Sequence, residues 1–151
     1  MYRVRQQIEC NDNLLPEITG KIVGVGVLDT GISNHPDLQN RIVDFRDFVN
    51  KRRSIYDDSG HGTHVAGCIG GDGGVSNGKY RGIHPQCHFV VGKVLNSEGD
   101  GNLFDMIKGF EWMLEVAGEL KCDVSVINTT DNKRLTSTDF FVNVQEAANK
   151  S

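Results

Sequence analysis

At 151 residues, with 38% hydrophobic and 24% charged side chains, the chain has the length and composition of one globular domain with a core, not of a disordered or fibrous polypeptide. Its net charge of -4 gives no basic surface of the kind that neutralises phosphates, so nucleic acid is not an expected partner. No stretch approaches the roughly 20 apolar residues of a membrane-spanning helix, so a membrane is not expected either.

The opening run from Met1 to Gln7 has no apolar segment of the signal-peptide kind, which favours a cytoplasmic chain. Residues 1–20 read as an irregular arm with one short helix around Pro16, and residues 21–151 as a single domain. Cys10, Cys68, Cys87 and Cys122 are widely spaced and form no C-x-x-C pair, so they are expected to be reduced and mostly buried.

Ile22 to Leu28 is a nearly continuous apolar run that ends in Asp29-Thr30-Gly31, the pattern of a parallel strand covered on both faces. Ile42 to Phe45 is a weaker, alternating strand candidate, and His88 to Leu95 and Asp123 to Ile127 are stronger ones. Between the last two, Leu103, Ile107, Phe110, Leu114 and Ala117 recur at helical spacing, with Asn102 placed to cap and Asp105 in the first turn. Phe140, Phe141, Val144, Ala147 and Ala148 predict a final helix, introduced by Ser137 or Thr138. Strands alternating with helices in this way imply right-handed crossovers and a mostly parallel sheet, with the ligand site beyond the strand carboxyl ends. Asp29 falls at such an end.

A carboxylate placed directly after a buried strand can be held rigidly and partly desolvated, which suits it to orient a histidine. Taken alone, Asp29-Thr30-Gly31 fits an ordinary strand-to-turn junction equally well. His61-Gly62-Thr63-His64-Val65-Ala66-Gly67 says more, because glycines flank His61 and a small-residue helix follows that can pack closely on a sheet. His64, one turn on, has no glutamate between it and His61 and no evident third ligand. It is expected to be a hydrogen-bonded structural residue and not a zinc ligand.

Two long segments in this order, Asp29-Thr30-Gly31-Ile32-Ser33-Asn34-His35-Pro36-Asp37-Leu38 and Asp57-Asp58-Ser59-Gly60-His61-Gly62-Thr63-His64-Val65-Ala66-Gly67, resemble the subtilisin-like serine proteases, or subtilases. The similarity continues through Tyr80 to Pro85, Val91 to Gly101 and Asp123 to Asn128, and so covers about residues 20–150. The resemblance implies an α/β fold of three layers, a mostly parallel central sheet flanked by helices. It also implies that Asp29 is the triad aspartate, that His61 is the general base, and that polypeptides are the substrate class of the complete protease.

The family pattern continues with an Ala-Ala-Gly-Asn-like turn that supplies an oxyanion donor and a Gly-Thr-Ser-Met-Ala segment that carries the nucleophile. Neither occurs in these 151 residues. Ser59, Ser125 and Ser137 sit in no comparable context, and Thr130-Asp131-Asn132 replaces the usual Ser-Leu-Gly edge of the substrate groove. The chain therefore reads as the N-terminal half of a catalytic domain, inactive alone, with a catalytically dead protein-binding module as the alternative.

Asp37 matches an aspartate that in many subtilases binds calcium, but six to eight oxygen ligands do not follow from the sequence around it, so it is only a weak candidate and no cofactor is expected. The Asp123 to Ile127 strand, lacking its later neighbour, presents an apolar edge through which a second copy would pair. An aspartic protease built from two copies of Asp29-Thr30-Gly31 would leave the long histidine segment unexplained.

Overall fold

The computed structural model describes residue 7 and residues 24–120, 124–128 and 142–143. The expected arm, the helix around Pro16, Cys10, Cys122 and Thr130-Asp131-Asn132 lie outside those residues, apart from Gln7. Five strands form one sheet: β1 (Gly24–Asp29), β2 (Ile42–Asp47), β3 (His88–Lys93), β4 (Val124–Asn128) and β5 (Val142–Asn143), in the spatial order β2-β3-β1-β4-β5. β1 lies parallel to both β3 and β4, and β2 parallel to β3; only β5 is antiparallel. Two α-helices pack with the sheet, α1 (His61–Gly70) between β2 and β3 and α2 (Leu103–Leu120) between β3 and β4, and short 3-10 turns lie at Pro36–Leu38 and Gly74–Ser76.

The β1 sequence Gly-Val-Gly-Val-Leu-Asp is buried throughout, as a continuous apolar run in a parallel sheet requires. Alternation then sorts its side chains between two cores. Val25 and Val27 join Phe89, Val91, Ala66 and Cys87 on the α1 side, whereas Leu28 joins Val90, Val94, Trp112 and Met113 on the α2 side. β2 is the edge strand, and its pairing slips in register between Ile42 and Asp44, which accounts for its weak alternation.

α1 ends at a sharp bracket. The Arg41 guanidinium donates to the carbonyls of Gly70, Cys87 and Asp37 and lies 5.9 Å from the Phe89 ring centroid. A cation from outside the helix thus meets the negative carboxyl end of α1 and fastens it to the start of β3.

α2 begins as its sequence predicts: the Asn102 side chain accepts from the Asp105 amide at 2.9 Å. The expected face is buried over its later part: Ala117 is buried, and Phe110 and Leu114 pack against the core that holds Trp112, Met113 and Val116. At the start of the helix Leu103 and Ile107 are exposed, as is Phe104, against expectation. Gly109 marks a close approach to the sheet. A Cβ there would come within 2.8 Å of Val94 and 2.9 Å of Leu28, so this glycine sets where the helix can approach the sheet.

Phe140, Phe141, Val144, Ala147 and Ala148, whose spacing predicts a C-terminal helix, lie outside the described residues. At Val142 and Asn143 the expectation is corrected: these two form β5, paired antiparallel with Val126 and Ser125, where backbone groups of β4 find partners. The β4 edge is therefore not bare at Ser125 and Val126, as the sequence implied. Among the described residues, no helix is long and apolar enough to cross a membrane.

Between β2 and α1 a loop is organised by one carboxylate. Asp47 accepts from the amides of Val49, Asn50 and Arg52 and from the Tyr56 hydroxyl at 2.7 Å. Burial raises its pKa, but the Tyr56 hydroxyl and the three amides outweigh that and hold the carboxyl below its ordinary 3.8. Because the folded value is the depressed one, this contribution to stability is full above the ordinary value and is lost as pH falls through the folded value. Asp47→Asn is expected to lower the urea midpoint at about pH 7 and to reduce the further loss between about pH 5 and about pH 2, measured by fluorescence-detected unfolding.

Candidate active site

β1 delivers Asp29 to its carboxyl end, where the strand order turns: the chain first builds β2 and β3 to one side of β1, then β4 to the other. In open parallel sheets such a point is where a crevice forms. Asp29 and Thr30 are completely buried there. The His61 imidazole meets Asp29 with Nδ1 at 2.8 Å from Oδ1, the histidine side chain 43% exposed and the aspartate 0%.

An ionised carboxylate only accepts hydrogen bonds, so Nδ1 carries the proton in this contact and neutral His61 keeps a basic lone pair on Nε2. Asp29 Oδ1 also accepts from the Thr30 amide at 2.7 Å, and its backbone carbonyl accepts from the amides of Val94 and Leu95. The carboxylate is thus locked to its own turn and its strand to β3. That geometry can hold an imidazole in one tautomer and stabilise the imidazolium formed when Nε2 takes up a proton.

α1 starts at His61 without a capping side chain of its own, since Gly60 occupies the cap in a left-handed conformation. Its orphan amides are satisfied from elsewhere. The Gly62 amide donates to Thr30 Oγ1 at 3.0 Å, and the Thr63 amide to Asp57 Oδ2 at 2.9 Å. Thr30 Oγ1 in turn donates to Asp57 Oδ1, which also accepts from the amides of Ser59 and Gly60. Thr63 Oγ1 donates to Asp57 Oδ2 and accepts from the Ser33 amide.

A single carboxylate therefore ties the turn that carries Asp29 to the helix that carries His61. Burial raises the Asp57 pKa, but the Thr63 hydroxyl and amide, the Gly60 amide and the Thr30 hydroxyl outweigh it and hold the group below its ordinary 3.8. Asp57 also lies where its charge complements the positive end of α1.

Lys93 supplies the other tie. Its side chain is 0% exposed, and Nζ donates to Thr30 O at 2.6 Å, Asp58 Oδ1 at 2.7 Å and Leu95 O at 2.8 Å. All three donors of the ammonium are used. Sequence reasoning assigned no role to Asp57, Thr30 or Lys93. A signal was present for the last: one cation inside the apolar run His88 to Leu95 has to be paired when that strand is buried.

The other candidates fall outside this cluster. His64 is exposed on α1, with the Cys68 thiol 3.8 Å from its Nδ1, so its surroundings are more open than a structural histidine suggested. Asp37 accepts from the Val75 amide at 2.9 Å, and no group of three or more His, Cys, Asp or Glu side chains suited to a metal occurs among the described residues. Cys87 is a free, buried thiol whose pKa is pushed up to about 11 by burial, against a smaller opposing effect of Arg41. Cys68 is free and half-buried.

Comparison with known proteins now bears on this geometry. The sequence profile of the subtilase family matches residues 20–148. Serine protease AprX of Bacillus subtilis is 50% identical over 98 residues, which are 65% of this chain and 22% of that protein. The major intracellular serine protease of Bacillus subtilis is 39% identical over 104 residues, 65% of this chain and 32% of the relative. This chain thus matches about a fifth to a third of the length of these relatives.

Among solved structures, Sphericase superposes with a TM-score of 0.68 at 29% identity, over 86% of this chain and 42% of that one. A cold adapted subtilisin-like serine proteinase superposes with a TM-score of 0.57 at 29% identity, over 72% and 46%.

The fit of α1 against the Asp29 turn is tight enough to test. A Cβ at Gly62 would lie 2.2 Å from the Gly31 carbonyl oxygen and 3.2 Å from Asp29 Cβ, whereas one at Gly67 would meet nothing within 4 Å. Gly62→Ala is expected to cost about 1–3 kcal/mol and to separate His61 from Asp29. Gly67→Ala should be neutral or stabilising by up to about 1 kcal/mol. Urea unfolding, with the hydrogen-bonded His61 Nδ1 proton followed by NMR, checks both.

Proposed function

The chain belongs to the subtilase family, and we propose that it is the segment of a subtilisin-like serine endopeptidase that supplies the aspartate and the histidine of an Asp-His-Ser triad. The observation that carries this reading is the 2.8 Å contact between exposed His61 and fully buried Asp29. In the complete protease, His61 Nε2 would take the proton of a serine hydroxyl as that oxygen attacks a peptide carbonyl. The same nitrogen would then return the proton to the leaving amine while Asp29 stabilises the imidazolium.

The nucleophile and the oxyanion donor would come from outside these residues, since neither a Gly-Thr-Ser-Met-Ala nor an Ala-Ala-Gly-Asn segment occurs in the sequence. Loss of the nucleophile alone costs on the order of a million-fold in turnover in subtilisin, the measured example on which that figure rests. The 151-residue chain by itself is therefore proposed to be inactive. Proton transfer by this pair calls for no metal, and Asp37 alone falls far short of the roughly six to eight oxygens that calcium takes, so the chain is proposed to hold no structural calcium. Added calcium is expected to leave its melting temperature unchanged in differential scanning fluorimetry.

A second reading, a catalytically dead protein-binding module, draws on one observation: Leu103, Phe104 and Ile107 leave apolar surface uncovered at the start of α2. The coding sequence after Ser151 separates the two. An in-frame Gly-Thr-Ser-Met-Ala segment supports the protease segment, and a stop codon supports the binding module. For the isolated chain, a fluorophosphonate probe is expected to label no serine; labelling at one discrete serine, found by mass spectrometry, would defeat the proposal that it is inactive.

A further inference from the structure

We propose that the Lys93–Asp58 ion pair is a positioning and charge-setting element of the Asp29–His61 pair, holding the turn beneath the histidine while its two opposite charges set where His61 titrates. The inference rests on the reading of His61 as the group that carries the proton. Lys93 stands in register with Asp29 across the β1–β3 ladder, so its side chain rises at the same level of the sheet. Its ammonium grips both sides of the site: the Thr30 carbonyl next to Asp29 on one side, and Asp58, three positions before His61, on the other.

The Leu95 carbonyl completes the set, clamping the end of β3. The Thr30 carbonyl belongs to the peptide unit that joins Thr30 to Gly31, and Gly31 is the residue against which Gly62 of α1 is seated. Lys93 thus reaches the turn from beneath as Asp57 reaches it through the Thr30 and Thr63 hydroxyls.

A fully buried ammonium is an unusual choice for a purely mechanical tie, because an apolar side chain of similar volume fills such a position at less desolvation cost. What it adds is charge. The ionisable groups on the segments that frame His61 include Asp29 on β1, which meets the imidazole, Asp57 and Asp58 in the preceding loop, Lys93 on β3 and His64 one turn along α1. The Tyr56 ring lies 5.2 Å from the Lys93 ammonium. Three carboxylates by themselves would favour the imidazolium strongly and leave a poor base. Lys93 offsets one of them in the low-dielectric interior, where its field is least screened, while Asp58, 36% exposed, limits how far the offset goes.

Removing either member must then move His61 in opposite directions, which a merely structural contact would not do. The measurement is the His61 titration followed by NMR on the full 151-residue chain. Neutralising Asp58 (Asp58→Asn) leaves Lys93 less compensated and is expected to lower the His61 pKa by about half a unit. Neutralising Lys93 (Lys93→Met) leaves Asp58 uncompensated and should raise it by at least about as much. Lys93→Arg keeps the charge and should keep the titration close to that of the unaltered chain.

The proposal is overturned if Asp58→Asn leaves the His61 pKa in place or raises it, or if both neutral variants shift it the same way. Should Lys93→Met lose its dispersed amide spectrum, the Asp58→Asn arm decides alone. Since the titration needs no serine, failure here leaves the protease reading standing, whereas downstream sequence without a serine segment would undo that reading and leave the measured His61 titration shifts as they are.

Discussion

Complete burial of Asp29 is the constraint on which the rest of this site depends. A carboxylate removed from water is costly unless hydrogen bonds and opposite charge replace what the solvent supplied. The Thr30 amide supplies one such bond from the adjoining turn, and His61 arrives at the head of α1 to meet the same oxygen. The amides of Val94 and Leu95, just after β3, hold the backbone carbonyl of Asp29 and so fix where its side chain starts.

The same requirement propagates outward. The cap position of α1 is held by Gly60 in a left-handed conformation, which offers no capping side chain, and the first-turn amides turn instead to Thr30 and Asp57. Capping from another segment does what a local Ser or Asp would do for the helix and also fixes the position of that helix relative to the sheet. Asp47 performs a similar service at the start of the same loop, where it gathers three amides and the Tyr56 hydroxyl. Carboxylates in this protein are thus framework as much as chemistry, and an excess of acidic over basic residues is consistent with that use.

Much of this was legible beforehand because the signals were local. A continuous apolar run ending in Asp-Thr-Gly marks a central strand and its carboxyl terminus, and a small-residue helix after His61 marks a helix that packs closely. Two assignments failed where the signal was not local. Leu103 and Ile107 share the helical spacing of Phe110, Leu114 and Ala117, which pack on the core, yet these two at the start of α2 stay exposed. Val142 and Asn143 lie in a segment with helical spacing, yet they pair with β4, whose backbone groups needed partners. Lys93 shows a third kind of limit: its presence in an apolar strand was visible, but its three acceptors lie at positions 30, 58 and 95, and spacing along the chain does not bring those together.

The sequence by itself determined the family, the α/β class, the identity of Asp29 and His61 as the pair to watch, and the absence of a serine segment from these residues. Those are statements about residue type and order, which periodicity and long ungapped motifs carry directly. Tertiary structure decided the 2.8 Å approach of His61 Nδ1 to Asp29, how far along α2 the buried face extends, the pairing of the β4 edge at Ser125 and Val126, and the roles of Asp57 and Lys93. Each of these depends on distances between segments far apart in the chain, and such distances are fixed only when buried polar groups and packed backbones must all be satisfied at once.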